Sequence, residues 1–209
     1  ATTDKSLGLK GVRFFLVDRE NPGIVIGKKI TKLGVRGMET TELALEECRI
    51  PKESQLGEKG YEDLMDILSQ IRTMTAALSL GLARTALDYG IRYAKERICF
   101  NKPIAAFQAI QHKIAESATE LEAARLFTYH CGRLIDSNIP CGTKSAMAKL
   151  TASEMACKTA DSVTRILAGY GFTMEYPAQR YFRDARFLLI GGGTSEILKN
   201  IIARDVIGE

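Results

Sequence analysis

From Tyr61 to about Arg97, the residues Leu64, Ile67, Leu68, Ile71, Met74, Ala77, Leu78, Gly81, Leu82, Ala86, Tyr89 and Tyr93 recur at helical spacing. That period marks one face of an α-helix. At ~1.5 Å per residue the helix exceeds ~50 Å. Similar patterns run from about Phe107 to Leu134 and from about Thr143 to Ala168, where small residues (Ala146, Ser153, Cys157, Ala160) allow close helix approach. Asp136-Ser137-Asn138-Ile139-Pro140 ends the second stretch and Gly169-Tyr170-Gly171 closes the third, glycine supplying left-handed backbone after a helix. A short segment from Ala178 to Asp184 and a last helix from about Thr194 to Val206 follow. Long helices joined by short polar loops predict a bundle.

The first fifty residues obey a different period. Gly11 to Val17 and Ile24 to Ile26 predict strands around the turn Asn21-Pro22-Gly23. Leu43 and Leu45, then Cys48 and Ile50, predict a half-buried strand bulged at Glu46-Glu47. The fold class is therefore mainly α: a helical bundle over 58–209, preceded over 1–57 by a partial β-sheet remnant.

Composition bounds the function. An apolar share of 45% and a charged share of 26% suit a globular domain. The net charge of +4 is dispersed, so no nucleic-acid partner and no anionic membrane is expected. No apolar run approaches the ~20 residues of a membrane span, and no signal-like stretch marks secretion. Five cysteines without a CxxC pair, and two histidines, predict free thiols and no metal site. A chain opening Ala1-Thr2-Thr3-Asp4 is expected to be processed, or part of something longer.

Ile190-Gly191-Gly192-Gly193-Thr194-Ser195-Glu196 is the most unusual local feature. Its backbone amides can approach a ligand oxygen; equally, Thr194 can be an ordinary N-cap, with Glu196 favouring the helix dipole. Glu96 to Pro103 falls where the first long helix ends. Its basic residues are either dipole partners, or Arg97 with Phe100 and Gln108 grips a flat, phosphorylated cofactor. Arg72 interrupts an apolar helical stretch and needs an anionic partner, from protein or ligand. No histidine lies near Cys99, so it is not a nucleophile candidate.

These segments, in this order, resemble acyl-CoA dehydrogenases: Pro22-Gly23-Ile24, Leu33 to Gly37 with Thr40, Pro51-Lys52-Glu53 with Leu56-Gly57, Glu96-Arg97 with Phe100, and Phe107-Gln108. So do Gly169 to Phe172 with Glu175-Tyr176-Pro177, Arg183-Asp184-Ala185, Gly193 to Ile197, and Ala203-Arg204. The resemblance covers the whole chain and matches the end of the family's middle β-domain plus its C-terminal four-helix domain.

It implies an FAD-dependent oxidoreductase of fatty acid metabolism that dehydrogenates an acyl-CoA thioester between the α and β carbons. By the resemblance, Arg97, Cys99, Phe100, Phe107, Gln108, Arg165, Gly169, Thr194 and Glu196 contact FAD, several of them across a subunit boundary. Arg72 and Gly193 lie near the thioester. A homotetramer or dimer, electron-transferring flavoprotein as acceptor, and residence in a bacterial or archaeal cytoplasm or the mitochondrial matrix are implied as well.

One departure bears on mechanism. The family's Glu base occupies the position of Gly192 or, in a minority, that of Ile71, so neither seat holds a base and no catalytic residue is assigned. Asp63 and Asp66 are local substitutes to consider, as is an Asp outside this chain. A flavin monooxygenase-like relative and a non-catalytic helical assembly subunit are the alternatives. The isolated chain is expected to bind FAD weakly and to be inactive.

Overall fold

A computed structural model describes residues 1–208 of the 209. The chain divides into two compact units, 1–68 and 69–209, and the division falls inside the first long helix.

The first unit carries two separate two-stranded antiparallel ladders rather than one sheet. Strand β1 (Phe14–Phe15) pairs with β4 (Gln55–Leu56), and β2 (Ile24–Lys29) with β3 (Thr41–Leu45). The extended run expected over Gly11 to Val17 shrinks to two residues. A 3-10 segment, Lys5–Gly11, occupies the chain before it and is kinked at Gly8, whose φ of 55° and ψ of −128° suit glycine alone. The bulge expected at Glu46-Glu47 is absent. Instead β3 ends at Leu45, Glu47 takes a φ of 45° that no strand can continue, and the register shift lies between Ile26 and Lys29. Asp63 Oδ2 accepts the backbone N–H groups of Lys59 at 3.1 Å and Gly60 at 3.2 Å. This carboxylate is thus committed to starting the first helix.

The helical elements are α1 (Tyr61–Glu96), α2 (Gln108–Asp136), α3 (Gly142–Leu167), α4 (Gly169–Phe172), α5 (Ala178–Leu188) and α6 (Ser195–Ile207). In the second unit α3 is the central helix, packed against α2, α5 and α6. Its buried face is built from Ser145, Ala146, Ala148, Lys149, Ala152, Ser153, Ala156 and Ala160, so neighbouring helices approach closely. Ala76, Leu80 and Ala83 of α1 meet Ala124 and Cys131 of α2 and Ala152, Met155 and Ala156 of α3 in one cluster. Toward the other end Ala86, Ala94, Ile104, Val163, Ile166 and Leu167 form a second. Burial pushes the Cys131 thiol up to about 11, as expected of a cysteine that serves as core.

Two local features escaped the periodicity. A hairpin, β5 (Ile98–Cys99) with β6 (Lys102–Pro103), follows α1 directly. The residue that ends α3 is Ala168, at φ 52°, not one of the expected glycines; Gly169–Phe172 then makes one more helical turn. Gly171 is needed for a different reason, because a Cβ there would stand 2.3 Å from the Thr164 carbonyl oxygen. Gly171→Ala should therefore cost about 2–3 kcal/mol of stability through overpacking. A denaturant titration would show this as a lowered midpoint at unchanged slope.

Candidate functional site

Two groups of side chains stand out in the second unit, at opposite ends of α3. The first surrounds a cavity of about 670 Å³ lined by Phe100, Ile104, Phe107, Ile110, Ile166 and Leu167, with Tyr93 and Tyr170 beside them and Arg97 and Arg165 among the lining residues. Six of the residues singled out in the sequence line it together: Arg97, Cys99, Phe100, Phe107, Arg165 and Gly169. Gln108 does not line it and is exposed at the first position of α2.

The backbone around this cavity is unusual. Phe100 (φ 51°) and Asn101 (φ 62°) form the turn of the β5–β6 hairpin, and Ala168 (φ 52°) forms the opposite lip. Positive φ at both central residues is what a two-residue hairpin turn of type I′ requires. Asn accepts that conformation readily, whereas Phe and Ala do so at a cost. Strained backbone of this kind gathers at ligand-binding sites. Phe100 also leaves its ring 90% exposed, edge-on to Phe107 at 6.1 Å and 77°. Lys102 Nζ lies 4.4 Å from the centre of the Phe107 ring, and the Arg97 guanidinium stacks 5.6 Å from that of Tyr170. Arg165 Nε donates to Asp161 Oδ2 at 2.7 Å. The site thus offers aromatic plates flanked by delocalised cations, a chemistry suited to a flat heterocycle carrying phosphates.

The second group lies where the loop before α6 meets α1 and α3. Gly192 (φ 73°) and Gly193 (φ 109°) carry the chain through left-handed backbone. Thr194 caps α6, its hydroxyl accepting the Ile197 N–H at 3.4 Å. Glu196 in the first turn has its carboxyl held below the usual range by its own backbone N–H and the Thr194 hydroxyl. A Cβ placed on Gly192 would lie 3.0 Å from Thr75 Oγ1 and 3.8 Å from Ile71 Cγ2. The two positions at which the resemblance seats a base therefore converge on one place, and both residues there are uncharged. Arg72, one residue along α1, is buried.

Sequence reasoning missed the support beneath this loop. Lys149 of α3 is 0% exposed, and its Nζ donates to the Gly193 carbonyl at 2.7 Å. Burial, with Arg72 adding to it, pulls the Lys149 ammonium below the ordinary lysine range; Glu154 and Cys157 act the other way. Ser195 Oγ donates to Glu154 Oε1 at 2.7 Å. A signal existed, since Lys149 falls between Ala146 and Ala152 on the small-residue face of α3.

Lys149 and Arg165 are sixteen residues apart on one helix, or ~24 Å. The two groups are thus well separated within a chain. Among the described residues no cluster of His, Cys, Asp and Glu could hold a metal ion, and no helix is long and apolar enough to cross a membrane.

Comparison with known proteins agrees with this architecture. The acyl-CoA dehydrogenase C-terminal domain matches residues 58–207. Over 200 residues the chain is 48% identical to benzylmalonyl-CoA dehydrogenase of Aromatoleum aromaticum, covering 94% of this chain and 53% of that protein. It is 45% identical to the human (Homo sapiens) mitochondrial short-chain specific acyl-CoA dehydrogenase over 205 residues, 97% of this chain and 50% of the other. The solved complex of glutaryl-CoA dehydrogenase with glutaryl-CoA superimposes with a TM-score of 0.95 at 40% identity, covering 100% of this chain and 53% of that one. The chain belongs to the acyl-CoA dehydrogenase family. It spans about half the length of the curated relatives it matches.

Proposed function

We propose that the whole protein is an FAD-dependent oxidoreductase that introduces an α,β double bond into a CoA thioester, and that its substrate carries a carboxylate on the α carbon. The observation that carries this reading is the convergence of Gly192 and Ile71, neither of them a base, on one spot.

Removing a proton from the α carbon needs a base, and neither glycine nor isoleucine is one. A malonyl-type thioester needs no base. When CO2 leaves the α carbon, the bonding pair it leaves behind becomes the new double bond as hydride leaves the β carbon. The products are the unsaturated thioester, CO2 and the two-electron-reduced cofactor, with the α hydrogen retained. Bound FAD would supply the hydride acceptor. A benzylmalonyl thioester, the compound for which the 48% identical relative is named, belongs to this class.

The loop suits such a substrate in two ways. The absence of a side chain at Gly192 leaves room for the substrate's own carboxylate, and the neighbouring Ile71 methyl offers it no solvation. Poor solvation favours loss of charge as neutral CO2. Met74 and Leu78, exposed on the same face of α1 as Ile71, extend an apolar wall for the rest of the acyl group.

The Arg97 cavity fits the dinucleotide part of FAD, with Phe100, Phe107 and Tyr170 as plates and Arg97 and Arg165 for phosphate charge. Hydride transfer requires reacting atoms within ~3–3.5 Å, so the Gly192 loop would have to receive the flavin ring of bound FAD. The ~24 Å along α3 then argues that the cavity of one subunit completes the loop site of another in a homo-oligomer.

Anaerobic mixing of the flavin-loaded whole protein with benzylmalonyl-CoA or 3-phenylpropanoyl-CoA tests the reading. Bleaching by the first, with one CO2 released per flavin, is expected to be at least about 100-fold faster than by the second, the scale of a missing general base. Equal rates would mean an ordinary dehydrogenase with its base elsewhere. A protein that takes up no flavin would be an assembly subunit instead.

A further inference from the structure

We propose that Lys149 is a positioning residue which, with Glu154 as a second anchor, fixes the Gly192–Ser195 backbone at the thioester. The proposal rests on the functional reading above for what the loop faces, but not for the anchoring itself.

Three consecutive glycines lose more backbone freedom on ordering than any other tripeptide. A loop holding φ values of 73° and 109° therefore needs external restraint to keep one shape. Helix α3 supplies it twice. Lys149 Nζ reaches the Gly193 carbonyl at 2.7 Å, and Glu154 Oε1 takes the Ser195 hydroxyl at 2.7 Å. The two bonds bracket Thr194, the residue that caps α6.

A buried ammonium is an expensive way to make one hydrogen bond, because its desolvation is offset only by well-placed partners. An apolar residue of similar length would fill the space on α3 without that cost. What it could not do is hold a carbonyl oxygen. The carbonyl and the next N–H of a trans peptide point in opposite directions, so holding Gly193 O against α3 also turns the Thr194 N–H away from α3. One lysine thus sets the orientation of the peptide that follows the empty base position.

The test is amide hydrogen exchange on the flavin-loaded whole protein, wild type against Lys149→Met and Ser195→Ala, combined with anaerobic flavin reduction by benzylmalonyl-CoA. In Lys149→Met, amides over 191–196 should exchange about tenfold faster, the scale of one lost buried charge-assisted bond. Those of α2 and of α3 beyond Glu154 should keep their rates. Flavin reduction should slow by a similar factor while flavin content is unchanged. Ser195→Ala, which removes one hydroxyl and is expected to fold, should give the same pattern at a few-fold.

Unchanged loop exchange in Ser195→Ala, together with either unchanged exchange or failure to fold in Lys149→Met, overturns the proposal. Acceleration spread over all helices does so too, since it would make the lysine a general support of the bundle. A loosened loop with undiminished flavin reduction overturns the positioning role. Wild-type flavin that no thioester reduces would instead refute the functional reading, with the exchange pattern still judging the anchors.

Discussion

Gly192→Glu should reverse the substrate preference of the whole protein. The new carboxylate would enter the space that Gly192 leaves beside Ile71 and Thr75. Against 3-phenylpropanoyl-CoA it supplies the missing base, and a positioned general base contributes about 10²–10⁴-fold. Against benzylmalonyl-CoA it places one carboxylate where another must sit, and like charges in one site oppose each other. We expect the ratio of the two flavin-bleaching rates to move by at least about 100-fold. The backbone resists the change: a φ of 73° at a residue with a Cβ costs roughly 1–2 kcal/mol, and Thr75 Oγ1, already bonded to the Ile71 carbonyl at 2.8 Å, must yield a few tenths of an ångström. Gly192→Ala carries the same backbone cost without a carboxylate and should gain no activity on the plain thioester. If it gains as much as Gly192→Glu, the effect comes from loop geometry and not from a base.

Arg97→Ala should release flavin from the whole protein. Losing one charge-assisted hydrogen bond to a phosphate costs roughly 1.5–3 kcal/mol, or about 10–100-fold in affinity, measured by the apoprotein concentration that half-saturates with FAD. Arg97 is exposed, and the Cys99 side chain and the Tyr170 ring beside it are themselves at the surface of the bundle's end, so the thermal midpoint of the apoprotein should hardly move. Arg97→Lys should recover only part of the affinity, because an ammonium lacks the planar fork. A variant that retains flavin like the wild type would remove Arg97 from the cofactor site.

The helices were legible because amphipathic periodicity extends over 26 or more residues in each of α1, α2 and α3, far beyond any local exception. The short ladders were less so. Two-residue strands such as β1 and β4 have no period to read, and the single left-handed residue Glu47 ends β3 where the alternation alone suggested a bulge. The Arg97–Phe107 segment could be picked out from its residue types, but its hairpin could not, because Phe100 takes a backbone conformation its own propensity opposes. The place of Lys149 on the small-residue face of α3 could be read, but what it holds could not. Its partner, the Gly193 carbonyl, is 44 residues away, and a backbone oxygen leaves no mark on a sequence. The empty base seats were visible as single letters through the resemblance; their meeting beside Thr75 needed three dimensions.

Isotope effects on the reduction of flavin by benzylmalonyl-CoA decide most directly whether proton removal has been replaced by loss of CO2. With the α hydrogen exchanged for deuterium, the rate should be unchanged and the label should remain in the product. With deuterium at the β carbon, reduction should slow severalfold. A comparable slowing from the α position, or loss of that label to water, would mean that a base removes the α proton after all.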